Sequence, residues 1–480
     1  MDVLAGLPAV SRRLSSPRCR FGDGAACCGG VRLRSRTNRR SILGARCLLP
    51  VLVFVGWAGL CSAQTNVESN AAVQLDFLNP GARGLALGGA FVGVADDATA
   101  AFTNPAGLTG LSQKELSAEG RYWRFQTPYT SGGRLSGVAT RQGIDVSAGV
   151  TEGQSRQALL GASFLSFVYP GTHWALAAYR QQLASFRYEA QSTGPFVSLN
   201  NIDARLNPYR ATLHVDIARY GVSGAYTISD RLSVGVGTYV YEFSLHSETR
   251  RFPFDPNLPQ FFAAPDFSAP PAQVQTQDGT HRAIGVNLGV LASPHPRVRI
   301  GGVFRQGAGL GIRTTDVTNS RVTSADGTFT VPDTFGLGTL IKLTEQVHIS
   351  ADYDRVRYSQ ITRKFSVFFA PLPGYSAQPQ DFKADDANEV HVGLEYLFLH
   401  LRHPIALSAG SWFDPDHAVR FEPLNAQLAD PYNLTVFRRG KDVVHATFGA
   451  GLVFPQFEIS AAADISSKTS TASLSTVIRF

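Results

Sequence analysis

The chain has 480 residues, with 44 Lys+Arg, 37 Asp+Glu and five Cys. Ten Arg, two Asp and all five Cys (Cys19, Cys27, Cys28, Cys47, Cys61) fall before residue 64, leaving 417 residues with 34 basic and 35 acidic groups, net −1. A near-neutral, Cys-free body excludes disulfides, thiolate nucleophiles and Cys-ligated zinc, and it lacks the basic footprint of a nucleic-acid binder.

Residues 1–63 read as a leader. Arg39-Arg40 and Arg46 precede an apolar run from Cys47 to Leu60, and Cys61-Ser62-Ala63 forms a small-residue cleavage site before Gln64. This is the three-part pattern of a secretory signal. The run is too short for a bilayer-spanning helix, which takes about 20 residues. Bulky Leu60 argues against lipoprotein processing at Cys61. Residues 1–30 are rich in Arg, Gly and Cys without periodicity, as expected if translation starts near Val31.

Residues 64–114 are dense in Gly and Ala. They contain Asn79-Pro80-Gly81-Ala82-Arg83, a small-residue run from Gly84 to Ala90, Asp96-Asp97-Ala98, and Asn104-Pro105-Ala106. Small residues let a backbone pack closely against walls, so this stretch reads as a compact plug.

From residue 115 the pattern has a period of two. Leu232, Val234, Val236 and Val240 alternate with Ser233, Gly235, Gly237 and Tyr239. Val390, Val392, Leu394 and Tyr396 alternate with His391, Gly393 and Glu395. Successive strand side chains point to opposite faces. The segments are roughly 115–126, 157–169, 173–189, 209–228, 231–250, 281–293, 297–315, 328–344, 346–366, 386–400, 404–414, 441–454, 456–466 and 470–480. Several reach the 9–11 residues that cross a bilayer at a tilt. Tight links such as Ser229-Asp230, Thr344-Glu345 and Pro455-Gln456 alternate with long loops at 190–208, 251–280, 316–327, 367–385 and 415–440. Short turns on one side, long loops on the other and an even strand count are the outer-membrane barrel signature. The fold expected is all-β: a 14-stranded antiparallel transmembrane β-barrel (115–480) plugged by an amino-terminal hatch (64–114). The chain ends on a strand with Phe480, the feature that barrel assembly machinery recognises. The third strand, 173–189, has no Gly or Pro, so no kink is expected in it.

The stretch Gly81 to Leu108, with Asn104-Pro105-Ala106 after Asp96-Asp97-Ala98, resembles the hatch of the FadL-type outer-membrane transporters for hydrophobic compounds. Phe304-Arg305-Gln306, Ala351 to Asp354, His391 to Tyr396 and Phe413 to Asp416 are similar to other segments of that family. The resemblance implies passive transport of long-chain fatty acids or other hydrophobic molecules such as aromatic hydrocarbons. Ligand is caught by apolar extracellular loops, held in a lumen pocket, released by hatch movement and passed sideways into outer-membrane lipid. In the family the wall gap goes with a kinked third strand. The hatch also resembles that of PorV-like barrels, which act as scaffolds or shuttles for secreted proteins. Either reading implies no enzyme activity and no cofactor.

Candidate sites follow. Asn104, Pro105, Ala106, Asp96 and Asp97 belong to the hatch. Asp96-Asp97 lacks further acids at ligand spacing, which argues against calcium or acid–base chemistry. Phe252, Phe254, Leu258, Phe261, Phe262 and Phe267 form either an apolar capture loop or a self-packed lid. The small-residue strand faces place His214, Asp216, Arg299, Arg305, Lys342, Asp352, Asp354, His391, Glu395 and His445 toward the lumen. Of these, Arg305, Arg299, Lys342 and His391 are the cations that either meet a carboxylate headgroup or, the commoner role for any one of them, serve in lumen salt bridges and solvation. Tyr122, Trp123, Trp174, Tyr239, Tyr241 and Trp412 read as an interface girdle.

Overall fold

The computed structural model describes residues 67–71, 73, 77–199, 202–255, 262, 264–363 and 374–480. The leader reading therefore lies outside the described residues. Chain order begins with short helices α1 (Val67–Ala71), α2 (Ala82–Ala86) and α3 (Ala100–Thr103) and a 3-10 turn (Pro105–Gly110). Strands follow: β1 (Glu115–Gly133), β2 (Val150–Pro170), β3 (Trp174–Ser192), β4 (Phe196–Leu199), β5 (Ile202–Arg205), β6 (Tyr209–Ser229), β7 (Leu232–Arg251) and β8 (Gln273–His295). Next come β9 (Val298–Arg305), β10 (Ala308–Thr318), β11 (Arg321–Val331), β12 (Thr334–Lys342), β13 (Val347–Val356) and β14 (Phe382–Lys383). Last are β15 (Ala387–Phe398), β16 (Ile405–Asp414), β17 (Arg420–Phe421), helix α4 (Pro431–Val436), β18 (Val443–Val453), β19 (Phe457–Ile465) and β20 (Thr469–Arg479).

Hydrogen-bonded neighbours run β8-β7-β6-β3-β2-β1-β20-β19-β18-β16-β15-β13-β12-β9, and β9 returns to β8, so the sheet closes. β10 and β11 prolong β9 and β12 beyond kinks at Gln306-Gly307 and Pro332-Asp333, which leaves fourteen staves, all antiparallel. Closure at Glu115↔Arg479 joins the first strand to the last. Lipid offers no hydrogen bonds, so a spanning sheet must leave no edge. Among the described residues no helix is long and apolar enough to cross a membrane.

Several boundaries differ from expectation: β1 runs seven residues further, to Gly133, β2 begins seven residues earlier, at Val150, and β13 ends at Val356, ten residues short. β8 begins at Gln273, eight residues early. The expected loop 316–327 is strand instead: β10 and β11 meet at Asn319-Ser320, whose φ of 49° and 65° fits a two-residue hairpin turn.

β7 shows how the two faces of the wall are written. Inward, it runs Ser233, Gly235, Gly237, then Tyr239, Tyr241, Phe243, Leu245, then Ser247, Thr249, Arg251. Outward, Val234, Val236 and Val240 are exposed to the apolar band, and Glu242, Ser244, His246 and Glu248 follow. The polarity of the faces thus exchanges at one height, marked by Val240↔Ile284 below and the Glu242–Arg282 ion pair above. Below it, small residues face inward because the plug segment lies against them. Above it, the inward face is apolar and the outer face wet. This corrects two expectations. His214 and Asp216 lie on the outer, wet face of β6, while Leu213, Val215 and Ile217 are fully buried inside. Tyr239, Tyr241 and Trp412 are buried in the lumen at 1%, 0% and 3% exposure, so they are no girdle.

Candidate functional site

Residues 79–111 are seated inside the ring. At Gly88 (φ +67°) an added Cβ would lie 2.8 Å from the carbonyl oxygens of both Ser411 and Val392, and at Gly93 it would meet the Thr339 backbone at 2.7 Å. Asn104 accepts from the Ala106 N–H at 3.2 Å and donates to the carbonyls of Val92 (3.0 Å) and Val290 (3.1 Å). Pro105 and Ala106 begin the 3-10 turn that this cap organises. Arg83 donates to both carboxylate oxygens of Glu395, at 2.7 and 2.9 Å, and to Asp96 at 2.6 Å. Asp97 accepts the N–H and hydroxyl of Thr99. Burial, then the neighbouring Asp96 charge, pushes the Asp97 carboxyl up to about 6.

The candidate lumen cations mostly serve this segment. Arg305 donates to the Thr103 carbonyl at 2.6 Å, His391 lies 2.7 Å from the Gly88 carbonyl, and Arg299 sits 3.6 Å from Asp96. Lys342 is partly buried at the lower end of β12. The lumen is divided by chemistry. Around β13, β15, β16 and β18 the inner face carries buried Asp352, Asp354, Glu389, His391, Glu395, Asp414 and His445. Asp352 accepts the Val92 N–H at 2.7 Å. Around β1 to β10 its middle is apolar, with Phe125, Phe164, Tyr179, Phe186, Tyr188 and Phe243 in one buried cluster that includes Phe102 and Leu108 of the plug segment, while Glu119 and Arg121 lie buried below it on β1 and Gln273, Gln275 and Gln277 above it on β8. Phe125 meets Phe186 edge-on at 5.2 Å.

The wall beside this chamber is broken. β2 pairs with β3 only from Phe164↔Gln181 to Pro170↔Ala175. Above that, Arg156–Ser163 and Gln182–Tyr188 share no ladder until Ser155 Oγ accepts the Glu189 N–H at 3.0 Å. Both strands bulge there: β3 carries one residue more than β6 at Leu183, and β2 one more than β1 at Ser163. The carbonyl of Ala162, unpaired by the break, accepts from Arg180. This overturns the expectation of an unkinked third strand. A bulge needs only one extra residue, and here it is a Leu whose side chain turns into the apolar cluster.

Above the chamber lies a cavity of about 550 Å³ whose floor includes Tyr188 and Tyr209 and whose rim includes Arg438, Arg439, Lys441 and Lys468. Loops with their own core of Phe382, Phe421, Tyr432 and Phe437 roof the barrel. In the aromatic loop, Phe252 is buried edge-on against Phe267 at 5.3 Å, and Arg210 lies over both rings. Phe254 lies under Arg205, and Phe262 is 52% exposed. Leu258 and Phe261 lie outside the described residues. The three packed rings fit the lid alternative.

Sequence reasoning missed Arg219, which is 3% exposed among Phe102, Tyr239 and Tyr241, and donates to the Tyr241 hydroxyl at 2.6 Å. Its place on the odd-numbered, apolar face of β6 is the signal that marks it. Among the described residues no cluster of metal-ligating side chains occurs.

No family model and no curated sequence matches the chain. Solved structures do. The Pseudomonas putida toluene transporter TodX aligns over 84% of this chain and 99% of its own, at 16% identity and a TM-score of 0.55. The deltaS2 mutant of TodX, a monoaromatic hydrocarbon channel, aligns over 84% of this chain and all of its own, at 16% identity and a TM-score of 0.50. The fold of this chain is therefore the FadL-type fold that its plug-segment motifs resemble, a closed barrel of fourteen antiparallel staves.

Proposed function

We propose that the protein is a passive outer-membrane channel for hydrophobic compounds. The observation that carries this is the apolar, aromatic half of the lumen adjoining the β2/β3 break. A ligand passing from the upper cavity into that chamber and out through the break stays in contact with apolar groups. Each CH₂ kept out of water is worth about 0.8 kcal/mol, which an aqueous exit would forfeit. The ring faces of Phe125, Phe164 and Phe186 favour flat aromatic ligands, in keeping with the cargo of TodX, with long-chain fatty acids as the second class. Asp96, Asp97 and Asn104–Ala106 hold the hatch that must shift to clear the chamber. Phe262 offers the first apolar contact, and Phe480, stacked on Phe167, is the handle for barrel assembly. The test is uptake of radiolabelled toluene and oleate by cells lacking their own carriers. Expression of this chain should raise the initial rate, more for toluene. Rates equal to the empty strain for both compounds overturn the reading.

A further inference from the structure

A second break lies four staves away from the first. β8 pairs with β9 up to Asn287↔Arg305 and with β10 from Asp278↔Arg313, and residues 279–285 share no ladder with residues 307–312. The kink at Gln306-Gly307 opens it. Gly307 donates its N–H to Asp333 at 2.8 Å, and Asp333 stands at the matching kink between β11 and β12. The break is chemically finished. Tyr239 donates to the Gln306 carbonyl at 2.6 Å, with the Val286 carbonyl 3.1 Å from the same hydroxyl, and Tyr241 donates to Gln306 at 2.9 Å. The Val286 carbonyl also accepts the Gln306 N–H at 2.9 Å, so the carbonyl that the ladder leaves is that of Gln306, and side chains satisfy it, as a barrel wall requires. Its height matches the first break. Gln306 is nine residues above the Pro296-Arg297 turn, about 30 Å along a strand. With the usual barrel tilt that is roughly 23 Å of height, near the outer edge of the apolar band. Ile284, 71% exposed, and the Glu242–Arg282 pair mark that edge at the break itself.

The break is also tied to the plug segment. The last ladder pair beneath it is Asn287↔Arg305. Asn287 donates to the Phe102 carbonyl at 2.6 Å and Arg305 to the Thr103 carbonyl at 2.6 Å. Phe102 lies under the guanidiniums of both Arg219 and Arg305, and Arg219 reaches Tyr241. One hatch helix, α3, therefore holds the sill of the break directly and its tyrosine closure through Arg219.

We infer that the β8/β10 break is a second side opening to the apolar chamber, through which a hydrophobic ligand passes to the outer leaflet when α3 shifts. This rests on the transport reading above. Continuing the register from Asp278↔Arg313 sets Ala283 opposite Ala308, both on the chamber side. The body is Cys-free, so an Ala283→Cys/Ala308→Cys pair is a clean staple, and continuing the register from Phe164↔Gln181 sets Gly161 opposite Ala184, the positions for a Gly161→Cys/Ala184→Cys staple across the β2/β3 break. Uptake of radiolabelled toluene is measured before and after reductant, in the full-length protein in cells. The expected result is partial loss with either staple, near-complete loss with both, and recovery on reduction. Ala308→Trp, which fills the break without a disulfide, should give the same partial loss. Full uptake with the β8/β10 staple formed and with Ala308→Trp, while the β2/β3 staple abolishes it, overturns the second opening and leaves the transport reading intact. No uptake by the unmodified chain overturns both.

Discussion

Replacing Arg83 with Ala isolates what seats the plug segment. Arg83 makes three charge-assisted hydrogen bonds, two to Glu395 and one to Asp96. The Glu395 side chain is only 2% exposed, with the His348 ring at 3.4 Å as its other neighbour. Removing one partner of a buried pair strands the other charge, at a cost of about 3–5 kcal/mol. That cost falls on the segment, because one partner is in it and the other in the wall. Amides of α2 and its exit, such as Leu85 and Gly89 bonded to the carbonyls of Gly81 and Gly84, report it. Hydrogen exchange there should accelerate by about a hundredfold to a few thousandfold, while ladder amides of β6 and β7 stay slow. Glu395→Gln in the Arg83→Ala background removes the stranded charge, so the double variant should exchange more slowly than Arg83→Ala alone. Exchange in the double variant as fast as in the single one, or unchanged exchange in Arg83→Ala, refutes the argument.

Other outcomes follow from the same seating. A carboxyl held up at about 6, against an unfolded value near 3.8, binds its proton first in the folded state, so stability falls as pH rises through that window and recovers as pH drops. Asp97→Asn keeps the oxygen that accepts from Thr99 and removes the charge. It should raise the melting point at pH 7, by a stabilisation of about 3 kcal/mol, and flatten the difference between pH 5 and pH 7 in thermal melts of the detergent-folded barrel. Gly88→Ala puts a Cβ 2.8 Å from two wall carbonyls at a φ of +67°, and the left-handed backbone alone costs about 1–2 kcal/mol. It should lift α2 off β15 and β16 and raise leak conductance in planar bilayers, with an unchanged conductance counting against the seating. Phe164→Ala should lower toluene uptake without unfolding the barrel, checked by heat-shifted gel mobility beside transport rates.

The fourteen staves were legible because lipid imposes one rule on the outside, which β18 obeys from Val444 to Leu452 and β15 from Val390 to Tyr396. The same rule failed on β6. Its upper half stands in water on the outside and faces an apolar chamber within, so the polar residues His214 and Asp216 mark the outer face there, as Ser223 marks the inner face below. Local alternation alone carries no information about which side of the exchange it lies on. The breaks were hidden for another reason. Leu183 and Gln306 are ordinary strand residues, and their effect is visible only when the partner strand is counted against them. Arg305 and His391 were found as inward cations. Their partners are backbone carbonyls of the plug segment, which carry no side-chain signature.

The division of the lumen makes physical sense of where the breaks fall. Plug-segment carbonyls and N–H groups need hydrogen-bond partners, and the wall supplies them all round: Asp352, His391 and Thr447 on β13, β15 and β18, Glu119 and Arg121 low on β1, and Ser166, Ser223, Ser233, Asn287 and Arg305 between β2 and β9. Most of the buried carboxylates lie in the β13 to β18 half. A break in that half would open buried carboxylates onto lipid, where unpaired charge is most costly. Both breaks instead interrupt the apolar half, where the lining is Phe, Tyr and Leu and the freed carbonyls are few enough for Arg180, Tyr239 and Tyr241 to satisfy. On the proposed transport reading, a side opening is best placed on the face that suits a hydrophobic ligand. Substituting Tyr239 with Phe tests this: it removes the shorter of the two bonds to the Gln306 carbonyl and should cost about 1–3 kcal/mol while leaving the β2/β3 break intact. Equal stability of Tyr239→Phe and the unmodified chain in urea unfolding would mean that water already reaches the break, and the requirement for an apolar, self-satisfied rim would fall.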